Sequence, residues 1–184
     1  GADALEFDGS DTANPSDLSL PSESDEGTAE PDSLASEDSE ESSNDISDTQ
    51  TLPCATCEGD FKLTTEDDVA TIVHCSTING SVTISESTLV NLSVLHEEGC
   101  LEEITGALAI SQNENLETLD GLDTLVFVGG NLKIEFNSAL MEIDGLSALT
   151  EVQGEVDLNH NHQLIDLDGL LNLETLGKGL RLWD

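Results

Sequence analysis

Cysteines are the residues of this sequence with the most evident chemistry, and all four lie between residues 54 and 100. Cys54 and Cys57 form a Cys-x-x-Cys pair, which occurs in redox sites and in zinc sites. A redox pair normally opens a helix after a strand, whereas the nearest helix-start signal lies too far downstream. A zinc site could be completed by His74, Cys75, His96 or Cys100. Clustered cysteines also predict local disulfides and an oxidising compartment, and this is the interpretation we favour. The spacing alone leaves three connectivities open.

Two histidines form a second group of potential ligands, since His160 and His162 flank Asn161. Imidazoles at positions i and i+2 of a strand could bind a metal ion, but no third ligand with clear spacing follows. We therefore interpret them as exposed histidines beside a corner of the chain, and we predict neither a metal nor another cofactor.

Aspartates could act in pairs in glycoside hydrolysis. Asp120, Asp144 and Asp168 recur every 24 residues, with Asp166 beside the last of them. A repeated turn explains this recurrence better than catalysis does, and we find no acid pair outside the repeat. The sequence therefore predicts that the chain is not an enzyme.

Charge restricts the partners of the chain. The sequence has 40 Asp and Glu against 4 Lys and Arg, with a formal net charge of −36. Such a surface repels nucleic acids and anionic membranes, because both are bound through Lys and Arg. No apolar run approaches the roughly 18 residues of a membrane helix. The chain starts at Gly1 without a visible signal peptide, so we expect a secreted chain that is already processed, or a fragment.

Two regions differ in composition. Residues 1–53 contain 16 Asp and Glu, no Lys or Arg, and all four prolines. A segment of this kind buries too little apolar surface to offset the entropy of ordering, so we predict a disordered linker. Residues 54–184 contain regularly spaced apolar residues and form the predicted folded domain.

The elements of this domain are predicted by a repeat of 24 residues. Segments such as GALAI, GNLKI and GEVDL alternate like short strands with one buried face. We interpret each unit as one coil of an all-β solenoid, with a strand, a corner at Asn, a short strand, a corner at Asp-Gly and another short strand. Asn tolerates a left-handed backbone and bonds nearby main chain, so the recurring asparagines predict a structural ladder. That ladder consists of Asn113, Asn137 and Asn161.

The segments CSTINGSVTI and LEEITGALAISQNENLETLDGLDTL resemble the receptor L-domain family, the leucine-rich β-helical module of the insulin and epidermal growth factor receptors and of microbial surface proteins. The resemblance covers about residues 54–184. It implies a right-handed solenoid of parallel strands and an extracellular or cell-surface setting. It also implies a disulfide between Cys57 and Cys75, placed on either side of a capping helix, which leaves Cys54 with Cys100.

The capping helix is also indicated by its residues. Thr64 or Thr65 can cap its N-terminus, and three acidic residues follow, which favours the positive end of a helix. An apolar face is formed by Val69, Ile72 and Val73. The first repeat departs from the pattern, since it is 26 residues long from Gly80 to Gly106 and lacks the Asn at the ladder position. The sequence ends one strand into the next coil, so we expect a solenoid that lacks its C-terminal cap.

The function that these features favour is non-enzymatic recognition of a protein or glycan at the cell surface. A candidate binding face consists of the outward positions of one strand per coil: Ala109, Lys133, Asp157 and Arg181. Two of the four basic residues fall in this row, although they could also merely relieve repulsion between stacked acids. A structural wall or envelope spacer without a ligand is the alternative. Two glycosylation sequons begin at Asn79 and Asn91, and their use depends on the source.

Overall fold

The structure is a computed structural model that describes residues 53–183, apart from the side chains of Glu97 and Glu98. These residues lie within one compact unit, Ile46–Asp184. The predicted disordered linker, residues 1–53, lies outside the described residues except for its last one. The described part is mostly strand, with few helices and two parallel sheets, as predicted for an all-β domain.

Twelve strands of the described residues form two parallel sheets of six strands each. The odd-strand sheet contains β1 (Ala55–Glu58), β3 (Cys75–Asn79), β5 (Glu103–Ile104), β7 (Phe127–Val128), β9 (Glu151–Val152) and β11 (Thr175–Leu176). The even-strand sheet contains β2 (Phe61–Leu63), β4 (Val82–Ser85), β6 (Leu108–Ser111), β8 (Leu132–Glu135), β10 (Glu155–Asn159) and β12 (Gly179–Trp183). Within each sheet the strands stand in chain order, so each repeat adds one strand to each sheet.

The repeat positions the side chains of the core. Leu108 pairs with Leu132 and Ile110 with Ile134 across neighbouring strands, 24 residues apart in each case. These side chains are buried in one hydrophobic core that also includes Ile104 of the odd-strand sheet. Because side chains alternate along a strand, the residues between them face outward and form parallel rows on the surface.

The middle strand predicted for each repeat is wrong. Thr118 and Glu142 form only an isolated bridge in this segment. Single backbone bonds join it to the next repeat, such as the one from the N–H of Met141 to the oxygen of Glu117 (2.9 Å). Local bonds lie at both ends of the segment, for instance from the N–H of Leu140 to the oxygen of Asn137 (3.2 Å) and from that of Leu146 to the oxygen of Ile143 (2.9 Å). These local bonds bend the chain, so its N–H groups cannot all join a ladder between repeats.

Glycine is required at the recurring positions for two reasons, its backbone conformation and the close approach of the preceding repeat. Gly121 has φ +114°, a left-handed conformation that suits the predicted turn, and a Cβ atom there would also overlap the carbonyl oxygen of Leu92. Gly145 lies against the preceding repeat, where a Cβ atom would overlap the carbonyl oxygen of Leu119. Two short 3-10 helices contain the later glycines, at Asp144–Leu146 and Asp168–Leu170.

The predicted capping helix is present as α1 (Glu66–Ala70). Thr65 and Asp68 form a capping box, in which the carboxylate of Asp68 accepts the backbone N–H of Thr65 at 2.9 Å. The hydroxyl of Thr64 also donates to Asp68 at 2.7 Å and is the largest cause that lowers the pKa of Asp68 to about 2. The predicted apolar face of this segment is buried: Val69, Ile72 and Val73.

The first and last repeats differ from the others. The long first repeat contains a second helix, α2 (Val94–Glu98), which the sequence pattern did not predict. At the other end, Leu180 and Leu182 are 49 % and 52 % exposed, whereas their neighbours Val156 and Leu158 on β10 are buried. No described strand pairs with the outer edge of β12, so these leucines lack a covering neighbour.

Candidate functional site

All four cysteines are joined in disulfides. Cys57 is bonded to Cys75, with a Cα–Cα distance of 5.6 Å, and links β1 to β3. Cys54 is bonded to Cys100, with a Cα–Cα distance of 6.3 Å. This is the pairing that the family resemblance implies, and it leaves no thiolate for zinc or redox chemistry at the Cys-x-x-Cys pair. Two disulfides indicate an oxidising environment.

The Asn ladder lies at the corners that follow β6, β8 and β10 of the even-strand sheet. Asn113 and Asn137 are fully buried, and Asn161 is half-buried. Each side chain accepts a backbone N–H from the preceding repeat, for instance from Asn113 to Asn137 at 3.2 Å. Each also donates to a strand carbonyl, as Asn137 does to Ile110 at 3.0 Å. The ladder therefore satisfies buried backbone groups.

The left-handed backbone at this corner belongs to other residues than predicted. None of the three asparagines has a positive φ; the residue before each of them does. Asn is needed for its amide, which bonds the main chain, and not for its conformational tolerance. The left-handed residues are Glu86 (φ 50°), Gln112 (φ 57°), Phe136 (φ 58°) and His160 (φ 54°).

The predicted binding row lies on the even-strand sheet in the expected register. Ala109 pairs with Lys133, Lys133 with Asp157, and Asp157 with Arg181. Lys133 and Arg181 point outward, with side chains 44 % and 59 % exposed. The sheet extends the row to Thr83 and Lys62, which the 24-residue step did not include because the first repeats are irregular.

The prediction that Asp157 is exposed is wrong, since this residue is buried and only 6 % exposed. It lies between two long side chains, Lys133 and Arg181, on the adjacent strands. Asn159 on the same strand donates a hydrogen bond to its carboxylate. Asp157 is thus not an exposed contact position.

Both basic residues of the predicted row also contact acids. The Nε atom of Arg181 lies 2.6 Å from the carboxylate of Glu155, and the Nζ atom of Lys133 lies 3.9 Å from that of Glu135. Trp183 lies two residues beyond Arg181 on β12, and it is 69 % exposed. The outward surface defined by Lys62, Lys133, Arg181 and Trp183 is called the cation row below.

The strand pattern did not predict a second surface, although two of its residues, His160 and His162, were considered as potential metal ligands. The rings of Phe136 and His160 stack with centroids 4.3 Å apart and an angle of 14° between their planes. The ring of His162 meets His160 edge-on at 6.2 Å. Half of Phe136 is exposed. Three aromatic rings from two repeats therefore form one exposed cluster at the corner.

Beside these rings is a concave strip, here called the corner groove. It lies between the left-handed residues Gln112, Phe136 and His160 and a second column, Glu114, Ser138 and His162. The cavity there has a volume of about 340 Å³. A neighbouring cavity of about 400 Å³ shares two lining residues, Gln112 and Glu114, and extends the groove toward Glu86.

Several other titratable residues take part in turns and pairs. Asp120 accepts a hydrogen bond from Thr118, and Asp166 accepts the backbone N–H of Asp168. His96 contacts Asp123 at 3.0 Å. Between residues 53 and 183, no three His, Cys, Asp or Glu side chains are grouped so that they could hold a metal ion.

The helices of the described region are too short and too polar to cross a membrane.

Comparisons of the chain with known protein families, with curated proteins and with solved structures find no match. The resemblance to the receptor L-domain family stays a prediction.

Proposed function

We propose that this chain is a non-enzymatic recognition module, secreted or displayed at a cell surface, which binds a protein or glycan through an exposed sheet face. Two disulfides support the extracellular setting. The net charge of −36 argues against polyanionic partners.

The architecture we propose is a right-handed parallel β-solenoid of the receptor L-domain type. The chain alternates between two parallel sheets and moves one strand along each sheet per repeat. Connections between parallel strands of one sheet are almost always right-handed, which favours that hand. A solenoid presents equivalent side chains at regular spacing, and this is the property that such proteins use for binding.

The cation row is the observation that carries this proposal. Lys62, Lys133 and Arg181 are three of only four basic residues in the sequence, and they share one outward row. Arg and Trp are enriched among the residues that dominate binding energy, and Arg181 and Trp183 stand side by side on this face. A local cationic strip on an acidic protein would orient a partner that carries its own acidic patch.

A screen of the whole chain against a glycan array and an array of purified extracellular proteins tests the proposal. The double variant Lys133→Glu with Arg181→Glu should lose at least about tenfold in affinity, because two charges are reversed on the face. Lys178→Glu is the matched control, since it reverses the fourth basic residue, which lies outside the row.

The melting temperature of each variant separates binding from folding. Lost binding in the double variant at an unchanged melting temperature, with binding retained in Lys178→Glu, supports the recognition face. A chain that binds nothing on either array, or an affinity loss that only follows unfolding, contradicts it.

The second candidate function is a structural spacer without a ligand. The ion pairs of Arg181 with Glu155 and of Lys133 with Glu135 favour it, because they explain the basic residues as relief of repulsion among acids. If the chain is a spacer, the reversals of Lys133 and of Arg181 should each lower the melting temperature, and no partner should be found.

A further inference from the structure

The corner residues have a left-handed backbone, which is energetically unfavourable for their residue types. A non-glycine residue at positive φ is disfavoured by about 1–2 kcal/mol, and Gly or Asn would fit at least strain. Phe136 and His160 nevertheless occupy two of these positions, with φ of 58° and 54°. Half of Phe136 is exposed, and this side chain is not part of the hydrophobic core. The strain is therefore associated with an exposed aromatic surface and not with packing.

The groove beside these rings has the size of a ligand site. Its cavities of about 340 and 400 Å³ fall in the usual range for small ligands. Ser138 is the small residue between Glu114 and His162 in the outer column, and it lines the same cavity as Phe136. Neighbouring strands are about 4.8 Å apart, so the four corners from Glu86 to His160 span roughly 14 Å. An extended ligand fits this strip better than a compact one.

The lining indicates the chemistry of the ligand. Aromatic carbon lies beside groups that donate and accept hydrogen bonds: the Gln112 amide, the Glu114 carboxylate, the Ser138 hydroxyl and the His162 imidazole. No Lys or Arg lines either cavity. The electron-rich faces of aromatic rings attract C–H groups, and the polar side chains match hydroxyl groups. A ligand that presents both C–H and hydroxyl groups along an extended chain meets these requirements.

We propose that the corner groove binds a neutral oligosaccharide. This rests on the proposed recognition function, and it adds a second surface and a ligand class to it. A polyanionic glycan is disfavoured by Glu114 in the groove and by the net charge of −36. A basic peptide would find carboxylates over the whole surface and would not need the ring of Phe136.

The test uses the whole chain and three neutral tetrasaccharides, cellotetraose, N-acetylated chitotetraose and maltotetraose, in calorimetric titrations. At least one should bind wild type, and its affinity should not change when salt is raised. Phe136→Asn should weaken binding by about tenfold, because the ring is lost. Asn accepts the left-handed backbone, so the melting temperature should be unchanged or higher.

A second variant tests the cavity independently of the backbone strain. Ser138→Leu fills the space beside Phe136 and should also reduce affinity by about tenfold. Ser147→Leu is its matched control, since Ser147 is exposed and lies outside the groove. The double charge variant of the cation row should bind the tetrasaccharide like wild type.

Three results overturn the inference. The first is that none of the tetrasaccharides binds. The second is that octa-lysine binds instead, with strong salt dependence and no effect of Phe136→Asn, which assigns the surface to basic peptides. The third is that saccharide binding is lost with the cation-row variant and kept with Phe136→Asn. That result assigns the saccharide to the sheet face and is compatible with the proposed function. The proposed function itself is contradicted only if the chain binds nothing on the glycan and protein arrays.

Discussion

The side-chain amide of Asn113 donates a hydrogen bond to the side-chain oxygen of Asn137 across 2.9 Å, although the two residues are 24 positions apart and both fully buried. The same oxygen accepts the backbone N–H of Asn113. The amide of Asn137 also bonds the oxygens of Ile110 and Asn161. Neighbouring repeats are thus joined by polar contacts inside the core as well as by the strand ladders.

Replacing Asn137 by Ala should destabilise the domain by about 3 kcal/mol, because the backbone groups of Asn113 and Ile110 lose their partner while buried. Urea unfolding of the two proteins measures this difference. Asn115→Ala is the control, since Asn115 is exposed, and its effect should stay within about 0.5 kcal/mol. Equal effects of the two substitutions would show that the ladder does not contribute to the free energy of unfolding.

Replacing Gly145 by Ala should also destabilise the domain, by about 3 kcal/mol, because the added Cβ overlaps the carbonyl oxygen of Leu119 and pushes the repeats apart. Gly179→Ala serves as the comparison, since nothing lies within 4 Å of a Cβ there. It should be neutral or slightly stabilising. Thermal unfolding distinguishes the two, and a neutral Gly145→Ala would show that the approach of the backbones is not rigid.

The lowered pKa of Asp68 predicts a pH dependence. Its pKa is about 2 in the folded chain against 3.8 ordinarily, mainly because Thr64 and Thr65 donate hydrogen bonds to the carboxylate. The stabilisation is complete above pH 3.8 and is lost as the pH falls through about 2. Melting temperatures between these limits should fall more in wild type than in Asp68→Asn. Asp67→Asn, in the same helical turn, should follow wild type.

Peptide mapping without reduction should yield two cross-linked pairs, Cys57 with Cys75 and Cys54 with Cys100. Reduction should lower the melting temperature, because the loop closed by Cys54 and Cys100 spans 46 residues. A loop of this length constrains the unfolded chain by about 3–5 kcal/mol. Free thiols in the native protein, or stoichiometric zinc released by a chelator, would contradict the pairing.

The sequence by itself determined the features that follow from short-range spacing. A step of 24 residues and alternating apolar positions predicted the even-numbered strands from β6 onward, the inward residues and the Asn ladder. Thr65 and the acids after it predicted the start of α1. These signals are local, because strand alternation and helix capping depend on residues a few positions apart.

Contacts between repeats were decided only by the tertiary structure. Asp157 is buried although a strand pattern assigns it to the outward face, and its neighbours on the adjacent strands, Lys133 and Arg181, are each 24 residues away in the sequence. Phe136 and His160 become neighbours only when successive corners stack. Periodicity states which positions are equivalent, but the side chains that share a surface depend on how the sheets pair, and that pairing is set by burial over the whole domain.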